Sequence, residues 1–104
     1  MVIYEVNLNI DGEIYVEYLV WLKEHVQQML QFSGFIQAAF FKPEQEDNTA
    51  QEKLTVQYQL KSRDDLQTYF NEFAPKMRED GINRFGNKFS AERRIFNVEE
   101  IILK

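Results

Sequence analysis

His25 is the one histidine of this 104-residue chain, and Trp21 is its one tryptophan. Four positions apart in an amphipathic run, they stand one helical turn from each other on the same face. An imidazole beside a flat indole is what proton transfer on an aromatic substrate asks for, an acid-base group with a stacking surface. The competing reading places Trp21 at the edge of the core and His25 in solvent next to Glu24. Tyr58 is the third candidate. It alternates on a strand with Tyr4 as its companion, where rings are core and hydroxyls reach the rim.

The second group is cationic. Arg78, Arg84, Arg93 and Arg94 are four of the five arginines, and from Lys76 to Arg94 six basic residues face three acids, although the whole chain carries a net charge of -5. Such a segment pairs internally, binds an anion, or docks on an acidic surface, and charge alone does not choose. Neighbouring strand residues point to opposite faces, so Arg93 and Arg94 do not grip one ligand together. If Ala91, Arg93 and Ile95 face the helices, Arg93 lines a cavity in which Arg78 or Arg84 converges with it on a carboxylate or phosphate. In the alternative, Arg94 pairs with Glu5 or Glu92, and the other arginines pair with Asp80, Glu79 or Asp65 at the surface.

Other chemistries lack their residues. With no cysteine, the chain has no disulfide, thiolate nucleophile or cysteine-ligated zinc. One histidine and scattered acids form no metal site, and Glu44, Glu46 and Asp47 lack the glycine and closing glutamate of a calcium loop, so they read as a solvated hairpin tip. The glycines at 12, 34, 81 and 86 are isolated, which rules out a phosphate-cradling loop. Neither a metal nor a cofactor is expected. Met29 and Met77 read as gap-filling core residues.

The elements that position these residues follow from periodicity. Val2, Tyr4, Val6, Leu8 and Ile10 alternate with mostly polar residues, giving a half-buried strand. Asp11 is placed to cap a helix with apolar positions Tyr15, Tyr18, Leu19, Leu22, Val26, Met29 and Leu30, stopped by Ser33 and Gly34. Phe35 to Phe41 predicts a second strand, and Leu54, Val56, Tyr58 and Leu60 a third after a polar hairpin. Ser62 and Asp65 form a capping-box start for a helix with Leu66, Tyr69, Phe70 and Phe73 inward. Pro75 starts a further helical segment ending near Gly86, and Phe89 to Val98 returns as a strand. The order βαββαβ is the ferredoxin-like α+β plan, an antiparallel four-stranded sheet with the helices on one face, in a single domain over residues 1–104.

If the aromatic side of the sheet faces the helices, the other side presents Glu5, Asn7, Asn9, Thr55, Gln57 and Gln59. Base-stacking aromatics are missing there and the net charge is negative, so nucleic acid is not an expected partner. The apolar residues after Val98 favour a second copy on this face, hence a homodimer. No stretch has the roughly 20 apolar residues of a membrane span, and the acidic start does not read as a signal peptide. A soluble cytoplasmic protein is expected.

The segments IYEVNLNI, FAPKMREDGINRFG and FSAERRIFN resemble an uncharacterised family of small bacterial proteins, over nearly the whole chain. That family is similar to the dimeric α+β barrel superfamily, which includes cofactor-free monooxygenases and haem-degrading enzymes. The resemblance implies a dimer with a cavity and assigns no reaction. The haem-degrading branch carries an asparagine on its first strand and a tryptophan and histidine on or after its second helix. Asn7 alone has a counterpart, because Trp21 and His25 both precede that point, so the proximal haem ligand is missing. Taken together, the sequence predicts a homodimeric domain binding a small aromatic or anionic molecule or a protein partner, with no assignable reaction. A cofactor-independent, monooxygenase-like enzyme acting on a small aromatic substrate is the alternative.

Overall fold

The computed structural model describes residues 1–44 and 50–104. Its strands are β1 (Val2–Asp11), β2 (Phe35–Phe41), β3 (Gln51–Leu60) and β4 (Phe89–Asn97); its helices are α1 (Tyr15–Met29), α2 (Arg63–Glu72) and α3 (Ala74–Phe85). The strands form one antiparallel sheet in the order β2-β3-β1-β4. This is the α+β, ferredoxin-like architecture that the alternation of elements predicts. Helices cover one face only, and the molecule measures 18 Å in its shortest dimension.

Strand parity sorts the side chains. Tyr4 lies opposite Tyr58 and Ile95, Val6 opposite Val56 and Arg93, and Leu8 opposite Leu54 and Ala91, all toward the helices. Glu5, Gln57 and Arg94 share the opposite face, as do Asn7, Thr55 and Glu92. The core holds Tyr4, Ile10, Val56, Leu60, Tyr18, Met29 and Leu66, each essentially fully buried. Aromatic packing ties the layers together: Tyr4 stacks on Tyr58 at 5.8 Å and meets the edge of Phe70 at 5.4 Å. Each such pair contributes about 0.5–1.5 kcal/mol beyond its buried area.

Several local expectations need correction. Asp11 does not cap a helix with its side chain; β1 runs through it, a short 3-10 turn over Gly12–Ile14 follows, and α1 begins at Tyr15. The Asp11 carboxylate instead accepts from Gln51 Nε2 at 3.4 Å. Phe73 is not inward: it ends α2, is 36% exposed, and stacks on Phe32 at 4.3 Å. Ser62 does cap α2, accepting from the Asp65 N–H at 3.2 Å and donating to the Asp65 carboxylate at 2.9 Å. Pro75 sits in the first turn of α3, and Gly86, at a positive φ of 58° that suits glycine, ends it. The acidic tip at Glu46 and Asp47 lies outside the described residues, while Glu44 is exposed.

Candidate functional site

A cavity of about 240 Å3 lies between α1, α3 and the helix-facing side of the sheet. It exists because of what the sequence places around it. α1 buries Tyr18, Leu22, Val26 and Met29 on the sheet, and the neighbouring stripe, Trp21 and His25, turns toward α3. α3 itself buries only Ala74 and Gly81, so it leans on the layer below instead of filling it. Gly81 permits close approach: a Cβ there would stand 2.9 Å from Trp21 Cη2 and 3.4 Å from Phe89 Cζ.

Trp21 is fixed at three points. Its Nε1 donates to the Asp80 carboxylate at 2.8 Å, its ring stacks on His25 with centroids 4.7 Å apart, and its edge meets Phe85 at 5.7 Å. The His25 pKa is lowered, first by burial and then by the charge of Arg93, with Asp80 opposing both. The imidazole is therefore neutral at pH 7 and available to accept a proton.

Tyr58 also lines the cavity. Burial raises the pKa values of Tyr18, Tyr58 and Tyr69 well above the ordinary phenol range, with Arg93 pulling each downward. All three remain phenols at neutral pH. Among the described residues no buried side-chain polar atom is left without a partner, yet these three hydroxyls engage no protein group. They are therefore reached from the cavity, which gives its apolar walls a polar lining.

The arginines divide. Arg93 lines the cavity, and Arg78 lines it too while donating from Nη2 to the Tyr4 hydroxyl at 3.1 Å. Arg84 does not converge with them; it turns outward to Asp80 at 3.7 Å and lines a shallow recess with Glu17 and Glu24. Arg94 lies on the far side of the sheet, where Nε and Nη2 donate to Glu5 at 2.8 and 2.7 Å.

That far face holds its own polar network. Glu5, only 5% exposed, also accepts from Asn7 Nδ2 and Gln57 Nε2, both at 2.9 Å, and Thr55 donates to Asn7 Oδ1 at 2.7 Å. Burial raises the Glu5 pKa, but the hydrogen bonds from Asn7, Gln57 and Arg94 outweigh it, and the net shift is downward. Asn7, the one counterpart of the haem-degrading pattern, thus points away from the cavity. Sequence reasoning missed Asp80 as the anchor of Trp21, because a contact spanning 59 positions leaves no local signal.

No group of three or more histidine, cysteine or acidic side chains able to hold a metal occurs among the described residues. No helix among them is long and apolar enough to cross a membrane.

The profile of a family described as Domain of unknown function (DUF4286) matches residues 1–99. No curated protein matches the chain. Among solved structures, it is similar to SnoaB, a cofactor-independent oxygenase from Streptomyces nogalater, in a mutant form, at 10% identity and a TM-score of 0.71, covering 99% of this chain and 98% of that one. It is similar to the heme-degrader MhuD from Mycobacterium tuberculosis with two hemes in its active site, at 14% identity and a TM-score of 0.71, covering 98% and 99%. A dimeric ferredoxin-like protein from an uncultured marine organism matches at 15% identity and a TM-score of 0.66, over 100% of both chains. Likeness at this level of identity establishes the fold.

Proposed function

The chain belongs to the family described as Domain of unknown function (DUF4286), and on that premise we propose that it is a homodimeric domain that binds a small molecule between helices and sheet. The observation that carries this reading is the cavity of about 240 Å3, walled by aromatic rings and lined by phenol hydroxyls, His25, Arg78 and Arg93. An engineered cavity of about 150 Å3 holds benzene, so the space here suits a molecule of one or two rings. Haem does not fit the residues present: the one imidazole of the chain is stacked on Trp21 and so is not presented as an axial ligand.

Pairing through the open sheet face is supported by the dimeric neighbour of the same fold. It is also supported by the side chains there. Phe41 and Phe96 flank the Glu5 network at 48% and 40% exposure, and Ile101, Ile102 and Leu103 are 64–84% exposed in the single chain. A second copy would cover this apolar surface while leaving the cavity, on the other side of the sheet, open. Sedimentation velocity tests the pairing: the wild type should sediment as a dimer and Phe96→Asp as a folded monomer, whereas a wild-type monomer at working concentrations would refute it.

A second reading is enzymatic. A neutral His25 on the cavity wall would give a cofactor-independent oxygenase its proton acceptor, and an oxygenase of that kind has a like fold. Oxygen consumption with phenolic substrates tests it, and equal rates in wild type and His25→Gln would end it.

A further inference from the structure

Resting on the reading of the cavity as a ligand site, we propose that its ligand is an aromatic carboxylate, ring against the wall formed by Trp21 and the core tyrosines, carboxylate on Arg93 with Arg78 beside it. The protein is acidic overall, at -5, yet the residues lining this cavity include two guanidinium groups and no carboxylate.

Neither cavity arginine has a carboxylate partner among the described residues. By contrast, Arg84 faces Asp80 and Arg94 faces Glu5, while Arg63, outside the cavity, lies over the ring of Phe70. Arg78 meets a neutral hydroxyl on Tyr4 and the face of Phe70 at 5.8 Å. Arg93 engages no carboxylate or hydrogen-bond acceptor among the described residues, although its charge reaches Tyr18, His25, Tyr58 and Tyr69. It is exposed and cavity-lining, so it stands at the mouth. A planar guanidinium with all its donors free matches a carboxylate in the two-bond geometry that guanidinium groups favour.

The rest of the lining selects the remainder of the molecule. The hydroxyls of Tyr18, Tyr58 and Tyr69 open into the cavity as neutral donors, which favours an anion over a cation. Trp21, Tyr18 and Phe89 pack on one another, Tyr18 at 5.4 Å from Trp21 and 5.0 Å from Phe89, and form an aromatic wall against which a ring can lie. An inorganic anion would leave those walls without a partner, and a neutral ring would leave Arg93 without one.

Calorimetric titration with 2-naphthoate, 2-naphthamide and inorganic phosphate separates the cases. The expected result is that the acid binds at least tenfold tighter than the amide. Arg93→Gln should remove that preference with amide affinity unchanged, Arg78→Gln should weaken the acid several-fold, and Arg63→Gln, outside the cavity, should change nothing. Circular dichroism establishes folding, with Arg93→Lys as a second variant retaining charge but losing the fork. Equal binding of acid and amide would overturn the carboxylate inference while leaving the ligand cavity intact. Acid binding that survives both arginine changes, or phosphate binding as tight as naphthoate, would overturn it too. If neither ring compound binds the folded wild type, both this inference and the reading it rests on fail.

Discussion

Trp21 and Asp80 join α1 to α3 beside the cavity, by an indole N–H donating to a carboxylate at 2.8 Å. The bond is exposed, so its direct contribution is modest, about 1 kcal/mol. It acts together with Met77 and Phe85, which also pack α3 on the core. Asp80→Ala should lower stability by about 1 kcal/mol in denaturant unfolding and shift the emission of the single tryptophan. Unchanged emission would show that the indole does not rely on Asp80.

Gly81→Val tests the same contact from the other side. A Cβ at 2.9 Å from a ring already held by Asp80 and His25 forces either Trp21 or α3 to move. Overpacking of this kind costs about 1–3 kcal/mol. The alanine variant separates packing from backbone preference: alanine favours a helix over glycine by about 1 kcal/mol, so a stabilised Gly81→Ala would mean that Trp21 yields easily.

Stability should depend on pH through His25. The folded pKa lies below the free value of 6.5 because burial disfavours the charged ring. The unfolded chain therefore binds a proton first as pH falls, so stability drops below about pH 6.5 and levels off once pH passes under the folded pKa. Thermal unfolding of His25→Gln across this range should lack that slope. An identical profile in both proteins would refute the assignment.

On the open face, Glu5→Ala removes the acceptor of Arg94, Gln57 and Asn7 together. The expected loss is about 1–3 kcal/mol, against under about 1 kcal/mol for Arg94→Ala, whose side chain is 64% exposed. With a folded pKa below 4.5, Glu5 contributes fully above that pH, and the contribution disappears as pH falls through the folded value. Equal losses for the two variants would show that Arg94 alone accounts for the network.

The fold was legible because period-two alternation in β1 and β3 sets which side of the sheet is apolar, and a slip of one residue would invert it. The same parity placed Arg93 on the cavity side and Arg94 against Glu5. What alternation does not encode is azimuth and distance between helices. Arg84 and Arg78 lie on one helix, six positions apart, and only packing decides that one turns out to Asp80 and the other in to Tyr4. Asp11 was misjudged for a local reason: β1 pairs with β3 as far as Gln51, which draws the residue into the sheet before a cap can form.

The central claim, that the space beside Trp21 is a ligand site, is tested most directly by titrating the protein with benzoate and reading tryptophan emission. The account predicts a saturable change in the wild type that is lost in Ala91→Leu, whose added side chain fills the cavity from the sheet side. A response that never saturates, or one that is the same in the filled variant, would contradict it.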